Sequence, residues 1–226
     1  MRVGSRPEPQ DSDDVQATEL NVYGSPRIPG LSIGYFSRPI YFLNVSSVSE
    51  LQVYNSDVYF PALNGAGLIT IEVDEDRGNE DPTSTFSSAF SNLSEVYSIN
   101  ATGFDFNRFS GFDLEIYENL TMNDVSMGNK GIFGDGGRPA DGLIIPSIRG
   151  TLTILEASDV PVSFTNLTTI GDDLVFANSS GCSLSFRALT EVSAIRMQNN
   201  TDTTLPGNMD RLELANSIHL NGYIDT

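Results

Sequence analysis

Short apolar-x-apolar patterns recur along the chain from Leu31 onward, where x is any residue. Alternation with a period of two is typical of a β-strand that buries one face, so each pattern predicts a short strand with its two apolar side chains inward. The copies are Leu31-x-Ile33, Leu51-x-Val53, Ile69-x-Ile71, Tyr97-x-Ile99, Leu114-x-Ile116, Leu152-x-Ile154, Leu174-x-Phe176, Ile195-x-Met197 and Ile218-x-Leu220.

The spacing of these patterns indicates how the strands are arranged. The last four copies are separated by 22, 21 and 23 residues. A second apolar pair follows at a nearly constant offset, as at Val162-x-Phe164 and Leu184-x-Phe186, and at a shorter offset at Ile40-x-Phe42 and Val58-x-Phe60. One coil of this length cannot bury its own apolar face, so successive coils must stack and their side chains must form columns.

The pattern predicts an all-β fold, a right-handed parallel β-solenoid, over residues 21–226. Helical periodicity is scarce, and paired apolar runs joined by tight hairpin turns are not evident, which argues against an antiparallel sandwich. Residues 1–20 are polar and acidic, and we expect a disordered or loosely attached tail there. Two segments, 74–88 and 128–142, break the period and are predicted to be loops between coils.

Composition narrows the function classes. The chain has 12 Lys and Arg against 30 Asp and Glu, and a net charge of −18 argues against nucleic acid or an anionic membrane as a partner. No apolar stretch is long enough for a transmembrane helix, and residues 1–10 lack the apolar segment of a signal peptide. With one cysteine and one histidine, the sequence predicts no internal disulfide, no zinc site, no cofactor and no histidine-dependent catalysis.

Asn-x-Ser/Thr sequons occur about twice as often as random placement of the same residues would give. They begin at Asn44, Asn92, Asn100, Asn119, Asn166, Asn178 and Asn199. This excess favours N-glycosylation in the secretory pathway, and hence an extracellular location. Turn-rich β structure, which also uses asparagine and serine, is the alternative explanation.

The same alternation predicts an asparagine ladder inside the coil. Asn55, Asn178 and Asn199 each lie two residues after an inward apolar position, so their side chains are also expected to point inward. Stacked amides there would satisfy backbone groups at the turn. A buried amide cannot carry a sugar. The preferred glycosylation candidates are therefore Asn44, Asn92, Asn100, Asn119 and Asn166.

The segments FTNLTTIGDDLVFANSSGCSLSFRALTEVSAIRMQNN and ANSIHLNGYID resemble receptor L-domain repeats, which are similar to leucine-rich repeats. They resemble in particular the fungal cell-wall and sporulation-type glycoproteins that carry a GPI anchor. The resemblance implies a secreted, N-glycosylated, non-enzymatic protein of the cell wall or outer plasma membrane, with cell-wall glycans or surface proteins as partners. The chain ends within a repeat at Thr226, so we expect either a fragment of a longer chain, whose GPI signal would lie beyond Thr226, or a divergent member without an anchor.

The sequence leaves two alternatives to a wall scaffold. The first is a ligand-recognition ectodomain that binds a protein or glycan through one face or its loops. The second is a β-helix enzyme acting on polysaccharide. Asn200-Thr201-Asp202 and Gly171-Asp172-Asp173 are similar to motifs of polygalacturonases, but their order is reversed and no Arg-x-Lys is present. We therefore expect no enzyme. Cys182 is predicted to be a buried apolar residue, and the imidazole of His219 is predicted to be exposed.

Overall fold

The protein is an all-β parallel solenoid. The computed structural model describes residues 2–3, 20–22, 26–34, 39–54, 56, 58–72, 90–103, 114–123, 145–159, 161–164, 166–204 and 209–225, and these residues contain strands and turns but no helix. The strands are β1 (Arg2–Val3), β2 (Leu20–Val22), β3 (Arg27–Gly34), β4 (Ile40–Phe42), β5 (Ser47–Tyr54), β6 (Val58–Tyr59), β7 (Gly65–Glu72), β8 (Glu95–Thr102), β9 (Glu115–Ile116), β10 (Leu120–Asn123), β11 (Ser147–Ile148), β12 (Leu152–Leu155), β13 (Pro161–Ser163), β14 (Thr169–Ala177), β15 (Ser183–Ser185), β16 (Glu191–Thr204) and β17 (Leu214–Asp225).

One long parallel sheet forms the main face of the solenoid. Its rungs follow chain order: β3, β5, β7 and β8, then β9 with β10, β11 with β12, and finally β14, β16 and β17. Every strand pairing found among the described residues is parallel. Each rung therefore continues the sheet by one strand, and the inner side chains of successive rungs come into register.

The predicted columns are confirmed in the C-terminal half. Leu152 pairs with Leu174, Leu174 with Ile195, and Ile195 with Ile218, so the spacings of 22, 21 and 23 residues each correspond to one rung. The first three of these side chains are at most 3% exposed. Ile218 is 56% exposed, because β17 pairs with β16 along one edge and with no other described strand along its other edge.

Short strands form the second face and close the core against the main sheet. The strands β2, β4 and β6 make a three-stranded parallel sheet, and β13 pairs with β15 further along. Stacked aromatic side chains join these rungs: the ring centroids of Phe42 and Phe60 lie 4.5 Å apart, and those of Phe164 and Phe186 lie 5.5 Å apart. The predicted second apolar pairs are thus core residues of this face.

The expectation that Tyr97 points inward is wrong. Its side chain is 55% exposed, and the inward residues of β8 are Val96, Ile99 and Ala101. The rung bends between Val96 and Ile99, so two consecutive residues face outward there and the alternation loses one step. A strict period of two therefore assigns Tyr97 to the wrong side.

Both side chains of Leu114-x-Ile116 are buried, as expected, but the pair does not lie in the main column, that of Leu152 and Leu174. Ile116 pairs with Ile148 and with Val96, which puts it in the column before the bend. The main column of that rung is instead supplied by Leu120 and Met122, both buried. Here the interval between the inner residues Ile116 and Leu120 is four residues, so three consecutive residues face outward, one more than between Val96 and Ile99.

Several expectations fall on parts of the chain that the structure does not describe. The predicted loops at 74–88 and 128–142 lie outside the described residues, as does Asn55. Of the predicted tail, residues 1–20, the structure describes Arg2, Val3 and Leu20. Arg2 and Val3 form β1 and pair with β3, and Leu20 begins β2.

Candidate functional site

Three large side chains follow one another on the outside of the main sheet, immediately after the inner position that precedes the bend. Tyr97 and Tyr117 lie on neighbouring rungs because Val96 pairs with Ile116. Arg149 lies on the next rung, because Ile116 in turn pairs with Ile148. We call Tyr97, Tyr117 and Arg149 the Tyr–Arg column.

The column is a continuous stack in which the middle ring is covered on both sides. The ring centroids of Tyr97 and Tyr117 lie 5.7 Å apart, with 33° between the ring planes. The Arg149 guanidinium carbon lies over the other side of Tyr117, 4.4 Å from its ring centroid, which is a cation–π contact. Tyr117 is accordingly half-buried, whereas Tyr97, at one end of the stack, is exposed.

Glycines bound the column at both ends. Gly67 is the residue opposite Tyr97, since its two neighbours pair with Val96 and Ser98. Gly171 lies next to Arg149, since the residues directly before these two pair with each other. A Cβ atom at either glycine would overlap the backbone carbonyl oxygen of the preceding rung, which explains why glycine is needed. Because Gly67 has no side chain, it cannot cover the ring face of Tyr97 that points toward it, and among the described residues the Tyr97 side chain is 55% exposed.

Carboxylates flank the column. Glu95 and Glu115 pair in register two residues before the tyrosines, and Glu118 follows Tyr117 directly. The Tyr117 hydroxyl donates a hydrogen bond to Glu115 Oε2 at 3.0 Å, and the Ser98 hydroxyl donates to Glu118 Oε2 at 3.3 Å.

These groups set the protonation of Tyr117. Its pKa is raised above the ordinary tyrosine value, chiefly because the hydroxyl donates to Glu115, and further by burial and by the negative charges of Glu95 and Glu115. Arg149 acts in the opposite direction. The carboxylates Glu95, Glu115 and Glu118 place negative charge beside the column, and its aromatic rings can hold a flat or cationic group.

Among the described residues, no group of three or more His, Cys, Asp or Glu side chains is arranged to hold a metal ion. Within the same residues, no helix has the length and apolar character needed to cross a membrane. Asp173, half of the Asp-Asp motif noted in the sequence, pairs with Arg196 at 2.7 Å, while Asp172 is exposed.

The seven sequon asparagines all lie on the surface. The exposed residues are Asn44, Asn92, Asn100, Asn119, Asn166, Asn178 and Asn199. Two of the five preferred candidates make hydrogen bonds: Asn92 Nδ2 donates to the Pro61 carbonyl, and Asn119 Oδ1 accepts from the Thr151 amide at 2.9 Å. Whether any of the seven carries a sugar stays a prediction.

The prediction that Asn178 and Asn199 point inward is wrong. Both have positive φ angles, 55° and 54°, and Glu156 on the preceding rung has a φ of 56°. A left-handed residue turns the chain and interrupts the alternation, so the side chain after it points inward instead. Asn178 and Asn199 do stack, with Asn199 Nδ2 donating to Asn178 Oδ1 at 3.2 Å, but they stack outside the coil.

The buried polar ladder is one residue further along each rung, at Ser179 and Asn200, which are 2% and 1% exposed. Asn200 Oδ1 accepts from the Ser179 amide at 3.1 Å, and Asn200 Nδ2 donates to the Phe176 carbonyl at 3.0 Å. The Ser179 hydroxyl accepts from the Ala157 amide and donates to the Ala177 carbonyl, each at 3.0 Å. A ladder of this kind was expected, but at the neighbouring residues.

Cys182 and His219 lie where the sequence placed them. Cys182 is 1% exposed, and its thiol donates weakly to the Ser180 carbonyl at 3.2 Å. His219 is exposed on β17. Neither residue contributes to the Tyr–Arg column.

The Tyr–Arg column escaped the sequence reasoning because Tyr97 was assigned to the core. A signal was available: Val48 and Leu51, like Val96 and Ile99, are inner residues three positions apart, which a strict period of two cannot produce. An odd spacing between inward positions indicates a bend in the rung, and the residue after the first inward position is then outside.

No protein-family model matches the chain, and no curated protein or solved structure is significantly similar to it.

Proposed function

We propose that the protein is a non-enzymatic, extracellular cell-surface glycoprotein of the receptor L-domain type, which contributes to fungal wall organisation as a scaffold. The supporting observation is that all seven sequon asparagines are exposed. Glycan attachment requires an accessible amide nitrogen, and sugars on the outer surface leave the apolar columns intact. The resemblance of residues 164–200 to receptor L-domain repeats supplies the cell-wall context.

The stacked architecture suits a scaffold. Each rung contacts its neighbours alone, so the solenoid presents a long, regular surface on a continuous core. Net charge −18 keeps this surface hydrated and works against self-association of folded chains at low ionic strength.

Glycan occupancy tests the proposal. The chain, expressed behind a secretion signal in a fungal host, is compared by mass spectrometry before and after treatment with peptide-N-glycosidase. We expect several sequon asparagines to be converted to aspartate by the treatment. Asn216, which is exposed but lies outside a sequon, is the control and stays unmodified. A secreted, folded chain without any occupied sequon contradicts the proposal.

The second candidate function is a ligand-recognition ectodomain. It is favoured by one observation, the exposure of the aromatic residue Tyr97 on the outside of the main sheet, next to carboxylates. Exposed aromatic side chains that are not needed in the core are typical of binding surfaces. The two candidates are compatible, because a wall scaffold must itself bind neighbours.

A further inference from the structure

We infer that the open ring face of Tyr97 binds an arginine side chain from a basic segment of a partner protein. This inference rests on the recognition function proposed above, and it names the partner chemistry. Four observations carry it: the contact that Arg149 makes, the charge around the column, the lack of a side chain at Gly67 and the exposure of Tyr97.

The protein already contains the proposed contact one rung away. Arg149 stacks on Tyr117, 4.4 Å from the ring centroid, with Glu115 and Glu118 on the same surface. Tyr97 repeats this setting on its own rung, with Glu95 two residues before it. On that side the next residue in the column is Gly67, which has no side chain to stack on Tyr97. A partner's guanidinium would extend the existing stack by one member.

Charge selects a cation at this position. Glu95 and Glu115 pair in register beside the tyrosines, and exposed Glu50 lies one rung beyond Gly67, in register with Leu68. The pKa of Tyr117 is raised in part by Glu95 and Glu115, in agreement with a negative potential at this surface. With a net charge of −18, the whole molecule attracts basic partners and repels anionic ones such as uronic-acid polymers.

The space beside Tyr97 fits a flat group. Adjacent strands of a sheet are about 4.8 Å apart, so one planar layer against the ring would lie over the rung of Gly67, outside the Ser49 backbone that blocks the Cβ position of this glycine. Gly65, two residues earlier on the same rung, also lacks a side chain, and no atom lies within 4 Å of a Cβ built there. The guanidinium of a partner can therefore reach the ring face from the side and keep its outer N–H groups directed at Glu95 or Glu50.

A peptide pair tests the inference. Binding of a Gly/Ser peptide with two arginines is compared with that of the same peptide carrying citrulline, which keeps the shape but has no charge. The readout is the ring signals of ¹³C-labelled tyrosine in the NMR spectrum. We expect the arginine peptide to shift the Tyr97 signal, with a dissociation constant that rises with salt, and the citrulline peptide to bind about 3- to 30-fold more weakly.

Variants assign the site. In the Tyr97 variants binding is read from the ring signal of the neighbouring Tyr117, 5.7 Å from Tyr97 in the native protein. Tyr97→Ala should weaken arginine-peptide binding about 3- to 30-fold, Tyr97→Phe should retain it, and Glu95→Gln should weaken it and flatten its salt dependence. Tyr59→Ala, on the second face of the solenoid, is the matched control and should leave binding unchanged. Equal binding of the citrulline peptide, or undiminished binding by the Tyr97→Ala variant, overturns the inference.

A neutral oligosaccharide is the third ligand in this experiment. If it shifts the Tyr97 signal and the arginine peptide does not, the inference is overturned, while recognition of a glycan at this face stands. If no ligand shifts that signal, both fail. The experiment uses protein freed of N-glycans, so glycan occupancy and the scaffold proposal are decided separately by mass spectrometry.

Discussion

Replacing Asn200 with alanine tests the buried polar ladder. The side chain is 1% exposed and bridges two rungs, accepting from the Ser179 amide at 3.1 Å and donating to the Phe176 carbonyl at 3.0 Å. In the variant the Ser179 amide, which lies in a residue 2% exposed, loses its acceptor, and the carbonyl loses a donor. Alanine also leaves a small gap between the rungs.

The magnitude follows from these two bonds. A buried N–H without an acceptor costs about 1–3 kcal/mol, and loss of a further hydrogen bond about 1 kcal/mol, so we expect Asn200→Ala to lower the free energy of unfolding by about 2–4 kcal/mol. The assay is urea unfolding followed by circular dichroism, with equal slopes required before midpoints are compared.

Asn199→Gly is the matched control, because Asn199 is exposed, has a φ of 54° and can be replaced by glycine without backbone strain. We expect a change within about 0.5 kcal/mol. The strict alternation rule, which turns Asn199 inward, predicts the reverse order. A loss of stability in Asn199→Gly that exceeds the loss in Asn200→Ala would refute the proposed ladder.

Three further substitutions probe other parts of the account. Gly171→Ala should destabilise the protein by about 1–3 kcal/mol, because the added Cβ meets a carbonyl oxygen of the preceding rung, whereas Gly30→Ala, with open space around it, should not; equal unfolding midpoints would contradict this. Phe60→Ala should cost about 3–5 kcal/mol in the same assay, since the ring is fully buried between two stacked phenylalanines, and a loss below about 1 kcal/mol would contradict its core position. Glu115→Gln should lower the pKa of Tyr117 toward 10.0 in a ¹³C NMR titration. Because the folded-state pKa is raised, the stability from this bond is fully present below the unfolded-state pKa and is lost as the pH rises through the folded-state pKa. An unchanged pKa of Tyr117 in the variant would contradict the assigned hydrogen bond.

The fold was predictable from the sequence because a solenoid repeats one physical requirement. Each rung must bury the face of its neighbour, so the apolar pairs at Leu152, Leu174 and Ile195 recur at the length of one coil. The spacing of these residues sufficed to predict the stacking and the register. Parallel pairing followed, since every coil runs in the same direction.

The candidate site was not predictable by the same rule. Tyr97 lies within the bend between Val96 and Ile99, where two consecutive residues point outward. Asn178 and Asn199 adopt left-handed conformations, which shift the inward position to the next residue. At Asn178 and Asn199 the backbone leaves extended geometry, and at Tyr97 two consecutive residues of the strand face outward, so a period of two describes neither place. The exposure of the Tyr97 ring also depends on Gly67, which lies one rung away. The two residues are neighbours in the sheet but distant in sequence.

The distance between Ser32 and Thr153 tests the stacked register most directly, and the positions of the core columns and of the Tyr–Arg column both depend on it. The two residues lie in one outward column, five rungs apart through Gln52, Thr70, Asn100 and Thr121. Nitroxide labels on cysteines at Ser32 and Thr153, in a Cys182→Ser background, are measured by double electron–electron resonance. At about 4.8 Å per rung, the account predicts a single distance distribution centred at about 24 Å, with a width set by the flexible arms of the labels. A broad distribution, or a mean distance much longer than this, would contradict it.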